Sequence, residues 1–173
     1  TTSEKIIAAL GYPVIRHILN SSGIERFPFT QFDMVRLGIG LYGISSVDSD
    51  KLRTVSTLKS SILQIKQVLP GETIGYGRRG RPERDSRIAI IPIGYGDGLN
   101  RRLSNGKGKF MVRGKLVPII GNICMDMTMI DVTGTDAREG DDVIIFGENP
   151  SVMSLAQEQD TIPYEVLTGI SER

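Results

Sequence analysis

The sequence is poor in the residues that most often build metal centres and nucleophilic triads. Its 173 residues include one cysteine, Cys124, and one histidine, His17. A single cysteine excludes an internal disulfide and is typical of a reducing compartment. Zinc-ligand spacing of cysteine and histidine is absent, and no GxSxG turn accompanies the histidine. The sequence therefore predicts no metal centre, and we interpret His17 as a structural, hydrogen-bonding residue.

An excess of charge of one sign and a long apolar run are also lacking. The 21 lysines and arginines are balanced by 20 acidic residues, for a net charge of +1. This balance gives no electrostatic case for nucleic acid or an anionic membrane surface. No apolar run approaches the ~18 residues of a membrane span, and the opening TTSEKIIAALGYP lacks the features of a signal peptide. We expect a cytoplasmic protein without nucleic-acid or membrane partners.

The first 45 residues alternate helical and strand patterns, as parallel α/β structure does. TTSEKIIAAL predicts a short helix with Thr2 or Ser3 as its N-cap and Gly11 at its end. VIRHILNSSG predicts a strand that runs into a polar, ligand-facing loop. TQFDMVR predicts a helical turn, and LGIGLYGI predicts a second strand. Two such units are too few for a closed barrel or a stable open sheet.

Residues 46–173 predict a mostly β domain. Short apolar or alternating runs separated by Gly, Pro and Asp turns indicate a small β-barrel or sandwich. KFMVRGKLVPII predicts a hairpin that turns at Arg113 and Gly114, and we interpret Met127 and Met129 as core residues. The other predicted strands lie in TLKSSILQIKQVLP, SRIAIIPIG, MDMTMIDV and DDVIIFG.

Two short helices are predicted near the end of the sequence. Ser151 can cap the first helix, which would extend to about Gln159. Pro163 suits the first turn of the second helix, because its missing N–H group is not needed there.

Tyr76 stands between two glycines in the stretch TIGYGRRG. Glycine lets the backbone turn sharply or approach a ligand closely, which bulkier neighbours would prevent. The glycine clusters of the chain match neither a dinucleotide fingerprint nor a P-loop. From these residues alone, Tyr76 could serve a ligand or could be a turn tyrosine with a satisfied hydroxyl, and both interpretations stay open.

Three stretches of the sequence resemble the alanine racemase family. IGNICMDMTMIDVT, together with IPIGYGDGLNRRLSNGKGKFMVRGK, is similar to the C-terminal domain of that family. The CMD tripeptide followed by alternating methionines is the most specific part. HILNSSGIERFPFTQFDMVRLGIGLYG resembles the last part of the family's barrel, which binds pyridoxal phosphate. The resemblance implies that residues 1–45 are a fragment of a (β/α)8 barrel and that residues 46–173 are the small all-β domain.

The family's cofactor lysine lies early in the barrel, in a stretch such as VKANAYGH. None of the lysines in this sequence has that context. The resemblance therefore implies a C-terminal portion of a racemase, made separately or cut from a longer protein. We expect such a portion to be inactive alone, without pyridoxal phosphate bound covalently.

The resemblance also implies roles around the cofactor. Racemising alanine needs acid/base groups on opposite faces of Cα, a lysine on one face and a tyrosine on the other, and Tyr76 matches the GYG tyrosine. Arg36 matches the arginine that faces the pyridine nitrogen. Because arginine keeps its proton, that nitrogen stays unprotonated, which favours reprotonation at Cα over transamination. The groups that match the phosphate site are the Asn20–Ser21 loop, the amides of Gly38 and Ile39, and the hydroxyl of Tyr164.

Further positions match the substrate side of the family. Met125, Tyr95 and Asp126 correspond to residues near the substrate, and Arg101 corresponds to an arginine of the substrate access channel. Asn122 stands where other members carry arginine. In the family, two protomers associate head to tail, so Tyr76, Tyr95 and Met125 would serve the cofactor of the partner. Arg36, Ser21 and Tyr164 would serve their own barrel.

Two other interpretations stay open beside the racemase. A related amino-acid decarboxylase would share a barrel and a β domain, but the CMD segment and the short β domain argue against it. A non-enzymatic β-domain interaction module is the other alternative. The joint presence of Tyr76, Arg36 and Tyr164 argues against it, because a binding module needs none of their chemistry.

Overall fold

A computed structural model describes residues 2–45, 47–48 and 51–171. The chain divides into two compact units, Thr1–Val55 and Ser56–Arg173. Among the helices of the described ranges, none combines the length and apolar character needed to cross a membrane.

In its described residues the first unit has two α-helices, α1 (Thr2–Leu10) and α2 (Ser21–Arg26). The predicted helix is confirmed in its extent, and Gly11 follows its last residue with a φ of 69°, as a left-handed helix end requires. The prediction of its N-cap was wrong, because Thr2 and Ser3 both lie inside the helix. The predicted helical turn is displaced as well, since the 3-10 turn spans Pro28–Thr30.

The two predicted strands of the first unit are not formed. Residues 14–20 make no strand ladder, and a 3-10 turn at Ile39–Tyr42 replaces the second strand. The two segments still contact each other, because the Gly38 N–H of LGIGLYGI donates to the Ser21 Oγ of VIRHILNSSG at 2.9 Å. Parallel strands are stabilised by neighbours along both edges and by helices over both faces. Among the described residues of this unit, each segment has only the other segment as a neighbour. This explains why the apolar pattern of a strand is present without a strand ladder.

The described residues of the second unit form two antiparallel sheets, followed by short helices, which confirms the mostly β fold class. One sheet has the order β1-β7-β4-β5 and the other has the order β2-β3-β6. They form two sheets rather than one closed barrel. Among the described residues, a bridge joins Ile119, just after β5, to Ile130 of β6. The strands are β1 (Leu58–Ser61), β2 (Gln64–Val68), β3 (Ser86–Ile91), β4 (Lys109–Val112), β5 (Lys115–Pro118), β6 (Thr128–Asp131) and β7 (Asp142–Phe146).

One predicted strand proves to be two. TLKSSILQIKQVLP supplies β1 to the first sheet and β2 to the second. Between them, the Ile62 N–H donates to the Asp141 carbonyl and the Leu63 N–H donates to the Ile90 carbonyl. The chain therefore crosses from one sheet to the other at a fully paired backbone, which an alternating pattern does not reveal.

The hairpin prediction is confirmed at its turn. β4 and β5 pair with Val112 opposite Lys115, and the turn residues Arg113 and Gly114 have φ values of 48° and 74°. Two positive φ angles at the centre of a two-residue turn match the twist of the flanking strands.

The core lies between the two sheets and the terminal helices. β3, β4, β6 and β7 each contribute side chains with almost no exposure, as half-buried antiparallel strands do. Within this core the Thr128 hydroxyl donates to the Ile93 carbonyl at 2.6 Å, so its polar atom is satisfied. The fully buried strand residues include Ala89, Ile91, Phe110, Val112, Ile130, Val143 and Ile145.

Helices α3 (Val152–Gln159) and α4 (Pro163–Thr168) follow the strands as predicted. The Ser151 hydroxyl accepts the Ser154 N–H at 3.0 Å, which confirms it as the N-cap. Arg102 donates to the Gln159 carbonyl at 2.9 Å. A Cβ at Gly98 would lie 2.0 Å from the Gly169 carbonyl oxygen. These contacts hold the loop of residues 94–103 firmly against the helices.

Candidate active site

One open groove of about 1120 Å³ lies on the second unit. Strands β2, β3 and β6 supply its apolar floor through alternate residues such as Val68, Ile88, Ile90 and Met129. Five residues that the sequence predicted for the substrate side line this groove together, although they are spread over residues 76–126. They are Tyr76, Tyr95, Arg101, Met125 and Asp126.

Tyr76 projects from a narrow loop above this floor. The Ile74 N–H donates to the Gly80 carbonyl at 2.8 Å, and the reverse bond measures 3.2 Å, which closes the base of the loop. Gly75 and Gly77 have φ values of 71° and 70°, which L side chains rarely adopt. The glycines on both sides of Tyr76 are therefore needed by the backbone itself. The Tyr76 side chain is 76% exposed.

An amide pair holds the backbone of this loop. The Asn122 Nδ2 donates to the Tyr76 carbonyl at 3.1 Å. The Asn105 Nδ2 in turn donates to the Asn122 Oδ1, also at 3.1 Å. Asn105 has a φ of 58°, a conformation that asparagine tolerates better than most residues. The resemblance singled out Asn122 only as a position where other members carry arginine. It gave no sign of this pair, whose members lie in different turns.

Backbone hydrogen bonds join Tyr95 to the CMD segment, Cys124–Asp126. The Tyr95 N–H donates to the Cys124 carbonyl and the Gly96 N–H donates to the Met125 carbonyl, both at 2.9 Å. A Cβ at Gly94 would lie 2.3 Å from both of those carbonyl oxygens, so only glycine permits this approach. These contacts hold Tyr95 and Met125 next to each other, although they lie 30 residues apart in the sequence.

The CMD segment is itself a tight turn at the rim. The Cys124 N–H donates to the Met127 carbonyl at 2.9 Å, and Met125, Asp126 and Met127 are exposed. The interpretation of Met127 as core was therefore wrong, whereas Met129 is buried as expected. Across the groove, the Arg101 guanidinium carbon lies 6.0 Å from the centre of the Tyr95 ring. That distance is the outer limit of a cation–π contact.

The residues that match the phosphate site come together in the first unit. Ser21 is buried, and its Oγ accepts the Gly38 N–H at 2.9 Å and the Gly40 N–H at 3.2 Å. The Asn20 side chain caps α2 by accepting the Gly23 N–H at 3.0 Å. Ile39 begins the 3-10 turn that follows Gly38. Residues far apart in sequence thus form one polar turn cluster.

Arg36 belongs to the same neighbourhood of the first unit. Its Nη2 donates to the Ile18 carbonyl at 3.1 Å, two residues before Asn20, and its guanidinium is exposed. Asp33 does not pair with it, because both Asp33 carboxylate oxygens accept from Arg16 at 2.8 and 2.9 Å. The side-chain hydrogen bond from Arg16, assisted by its backbone N–H, lowers the pKa of Asp33 to about 2.

Tyr164, which also matches the phosphate site, lies in the second unit but outside its groove. It is the second residue of α4 in the second unit and is exposed, and it is not among the residues that line the groove. Residues that the sequence prediction did not include also line the groove, among them Lys66 and Thr73. Lys66 and Val68 alternate along β2 on the groove side, so the period of two along this strand could have indicated Lys66.

Comparisons with known proteins match both units. Residues 55–173 match the family described as alanine racemase, C-terminal domain, and residues 2–46 match its N-terminal domain. "Alanine racemase 2" of Caldanaerobacter subterraneus subsp. tengcongensis is 47% identical over an alignment 168 residues long, and the match covers 92% of this chain and 43% of that protein.

Solved structures agree with these matches. An alanine racemase of Clostridium difficile 630 in complex with cycloserine superposes with a TM-score of 0.91 at 39% identity, over 99% of this chain and 47% of that one. The alanine racemase of Bartonella henselae with covalently bound pyridoxal phosphate gives 0.85 at 32% identity, over 99% and 48%. The chain thus spans a little under half the length of these relatives. With both units matched in order and the motif residues gathered in one groove, the chain belongs to the alanine racemase family.

Proposed function

We propose that this chain is the C-terminal part of a pyridoxal phosphate-dependent alanine racemase, which interconverts L-alanine and D-alanine for peptidoglycan precursors. The observation that carries the proposal is the groove that gathers Tyr76, Tyr95 and Met125 in a chain 47% identical to an alanine racemase. A fold alone would support many activities, whereas this set of side chains suits proton transfer at a carbon atom.

The first unit offers the donor set that a cofactor phosphate requires. The Ser21 Oγ already accepts two amide N–H groups, so the hydrogen of its own hydroxyl is left to donate outward. Ile39 begins a 3-10 turn, where the backbone N–H has no acceptor within the turn. Hydroxyl and amide donors of this kind suit an oxyanion. We therefore assign the phosphate to the Asn20–Ser21 loop and the Ile39 N–H, with the Tyr164 hydroxyl as a further donor. The Gly38 N–H donates to the Ser21 Oγ, so Gly38 would serve the phosphate by holding that hydroxyl in place.

Arg36 would face the pyridine nitrogen of the cofactor. Its guanidinium is anchored through one nitrogen to the Ile18 carbonyl, which leaves further N–H donors in a fixed planar fork. Because the Asp33 carboxylate is paired with Arg16, it does not compete with the cofactor for the N–H donors of Arg36. When bound, the cofactor supplies the electron-withdrawing ring that makes the Cα–H of an amino acid acidic.

In the form that has lost its hydroxyl proton, Tyr76 would accept the Cα proton of L-alanine at its side-chain oxygen. In the reverse direction it would give that proton back to Cα. Its exposed position on a loop closed at its base is that of a group presented to something outside its own unit. This supports the head-to-tail homodimer, in which Tyr76, Tyr95 and Met125 of one protomer complete the site of the other. Arg101 and Asp126 would line the path by which alanine reaches that site.

The test uses Tyr76→Phe in the racemase polypeptide that includes this chain. Racemisation must fall equally in both directions because the equilibrium is fixed, so we measure exchange of the α-hydrogen with deuterated solvent. Exchange from L-alanine should fall by about 10² to 10⁴, the usual range for a lost acid/base group. Exchange from D-alanine should persist, because another group serves that face.

Tyr12→Phe is the matched control, since Tyr12 is also an exposed tyrosine but is not assigned to the site. It should leave both exchange rates unchanged. Small, equal losses of exchange from the two enantiomers in Tyr76→Phe would remove Tyr76 from the mechanism.

A further inference from the structure

We propose that Asn122 and Asn105 are positioning residues that hold the Tyr76 loop in the orientation its chemistry needs. The inference rests on the proposed function and concerns residues to which that function assigns no chemistry. Asn122 donates to the Tyr76 carbonyl, the one backbone acceptor that belongs to the proposed base itself. No hydrogen bond to the Tyr76 hydroxyl is recorded among the described residues. Within this chain, the Asn122 bond to the Tyr76 carbonyl is therefore the contact that can orient the backbone carrying the phenol.

Asn122 packs against the whole tip of the loop. A Cβ built on Gly77 would lie 3.9 Å from the Asn122 Nδ2, and one built on Gly75 would lie 3.8 Å from the Asn122 carbonyl oxygen. Both glycines have positive φ and add no side-chain contacts of their own. The loop is stabilised by its closing bonds at residues 74 and 80, by the Arg78 N–H that donates to the Gly75 carbonyl at 3.2 Å, and by the Asn122 amide near its tip. Loss of the Asn122 amide would loosen the tip of the Tyr76 loop, while the bonds between residues 74 and 80 would keep the base of the loop closed.

Asn105 fixes which way the Asn122 amide points. It donates to the Asn122 Oδ1, so the Asn122 oxygen faces Asn105 and its nitrogen faces Tyr76. An amide without that donor could rotate and present its oxygen to the Tyr76 carbonyl, which would replace an attraction by a repulsion. Asn105 thus acts on Tyr76 through Asn122, and the two substitutions should not be additive.

The experiment measures α-hydrogen exchange from each enantiomer of alanine in the racemase polypeptide that includes this chain. Asn122→Leu keeps the size of the side chain and removes both hydrogen bonds. The ratio of L-alanine exchange to D-alanine exchange should fall about tenfold, the effect of one lost hydrogen bond, mainly in kcat. General damage to the fold would lower both rates together and would overturn the proposal. Asn122→Gln, which restores an amide donor, should recover more of the ratio than Asn122→Leu.

Asn105→Asp keeps a side chain that tolerates the positive φ but removes the donor. It should lower the same ratio, and the double variant should be no worse than Asn122→Leu alone. Gln67→Ala removes an exposed amide from the neighbouring strand β2 and should change neither rate. An unchanged ratio in both Asn122→Leu and Asn105→Asp would overturn the proposal while wild-type racemisation upheld the proposed function. A wild-type protein that does not racemise alanine would instead refute the function itself.

Discussion

The two units of this chain differ in how much of their apolar sequence they bury. In the second unit, strands β3, β4, β6 and β7 fill a core with side chains that are almost wholly inaccessible. In the first unit, buried apolar residues are few, and Phe29 is 98% exposed, with Ile15 and Ile18 also exposed. Both units carry clear apolar patterns, so the pattern alone does not decide burial. The contrast shows that the first unit's sequence is adapted to packing that the unit does not itself provide.

The family match gives this contrast a physical explanation. Residues 2–46 match the N-terminal domain of alanine racemases, and a parallel sheet is buried only when neighbouring strands and helices cover it. We propose that the exposed apolar residues of the first unit face the remainder of the barrel in the whole enzyme. Antiparallel sheets, in contrast, can complete their pairing within one short segment, as the second unit does.

The sharpest test of the comparison exchanges one phenylalanine for alanine in each unit. Phe110 is fully buried, so Phe110→Ala should lower the free energy of unfolding by about 3–5 kcal/mol. Phe29→Ala should change it by less than about 0.5 kcal/mol, as substitutions at exposed sites do. Urea unfolding of the chain, followed by circular dichroism, measures both. Equal losses would show that the two units do not differ in self-sufficiency.

A smaller effect is expected from one hydroxyl in each unit. Thr128→Val removes the donor to the buried Ile93 carbonyl and should cost about 1–3 kcal/mol, because that acceptor cannot reach water. Ser21→Ala removes the acceptor of two amides, but Gly38 is exposed and can bond to water, so the loss should be smaller. The same unfolding measurement applies.

Thr128→Ser is the control for this pair, since it keeps the hydroxyl and should retain most of the stability. A larger loss for Ser21→Ala than for Thr128→Val would contradict the view that the second unit holds the more deeply buried polar contacts.

The smallest effect concerns the ion pair between Arg16 and Asp33 in the first unit. Asp33 has its pKa lowered to about 2 by the hydrogen bonds from Arg16. Because the folded pKa lies below the unfolded one, the stabilisation is present above about pH 4 and is lost as the pH falls toward 2. A carboxyl titration by NMR should find Asp33 titrating near pH 2, and Arg16→Gln should return its pKa toward the ordinary value.

Arg113→Gln tests the corresponding pair in the second unit. There, the Arg113 side-chain hydrogen bond is the first cause of a lowered Asp141 pKa, with help from the Arg138 backbone N–H. The Arg138 bond at 2.8 Å remains in the variant, so Asp141 should keep part of its lowered pKa.

For the first unit, an unchanged titration of Asp33 in Arg16→Gln would show that the Arg16–Asp33 pair does not persist in solution.

Local chemistry explains which parts of the fold were predictable. The hairpin turn at Arg113–Gly114 and the Ser151 cap were predictable because each depends on residues within one turn of the chain. The split of TLKSSILQIKQVLP between two sheets was not, since it depends on which distant strand pairs with each half. The exposure of Met127 escaped prediction for a related reason, because the strand β6 begins one residue later.

The candidate site shows the same division. Tyr76, Tyr95 and Met125 could be named from their motifs, and all three line one groove. The amide pair of Asn105 and Asn122 could not be named, because no local pattern links a residue of one turn to the backbone of another. Predicting it would require knowing that Gly121 and Asn122 pass beneath the Tyr76 loop.

The sequence by itself determined the family, the β-rich second unit and the chemical types of the site residues, because these follow from short motifs and from local turn and strand preferences. Only the tertiary structure decided which strands pair, which methionines reach the surface and which amides hold Tyr76. The physical reason is that such contacts join residues far apart in the chain, and their free energy depends on burial and geometry that exist only after folding.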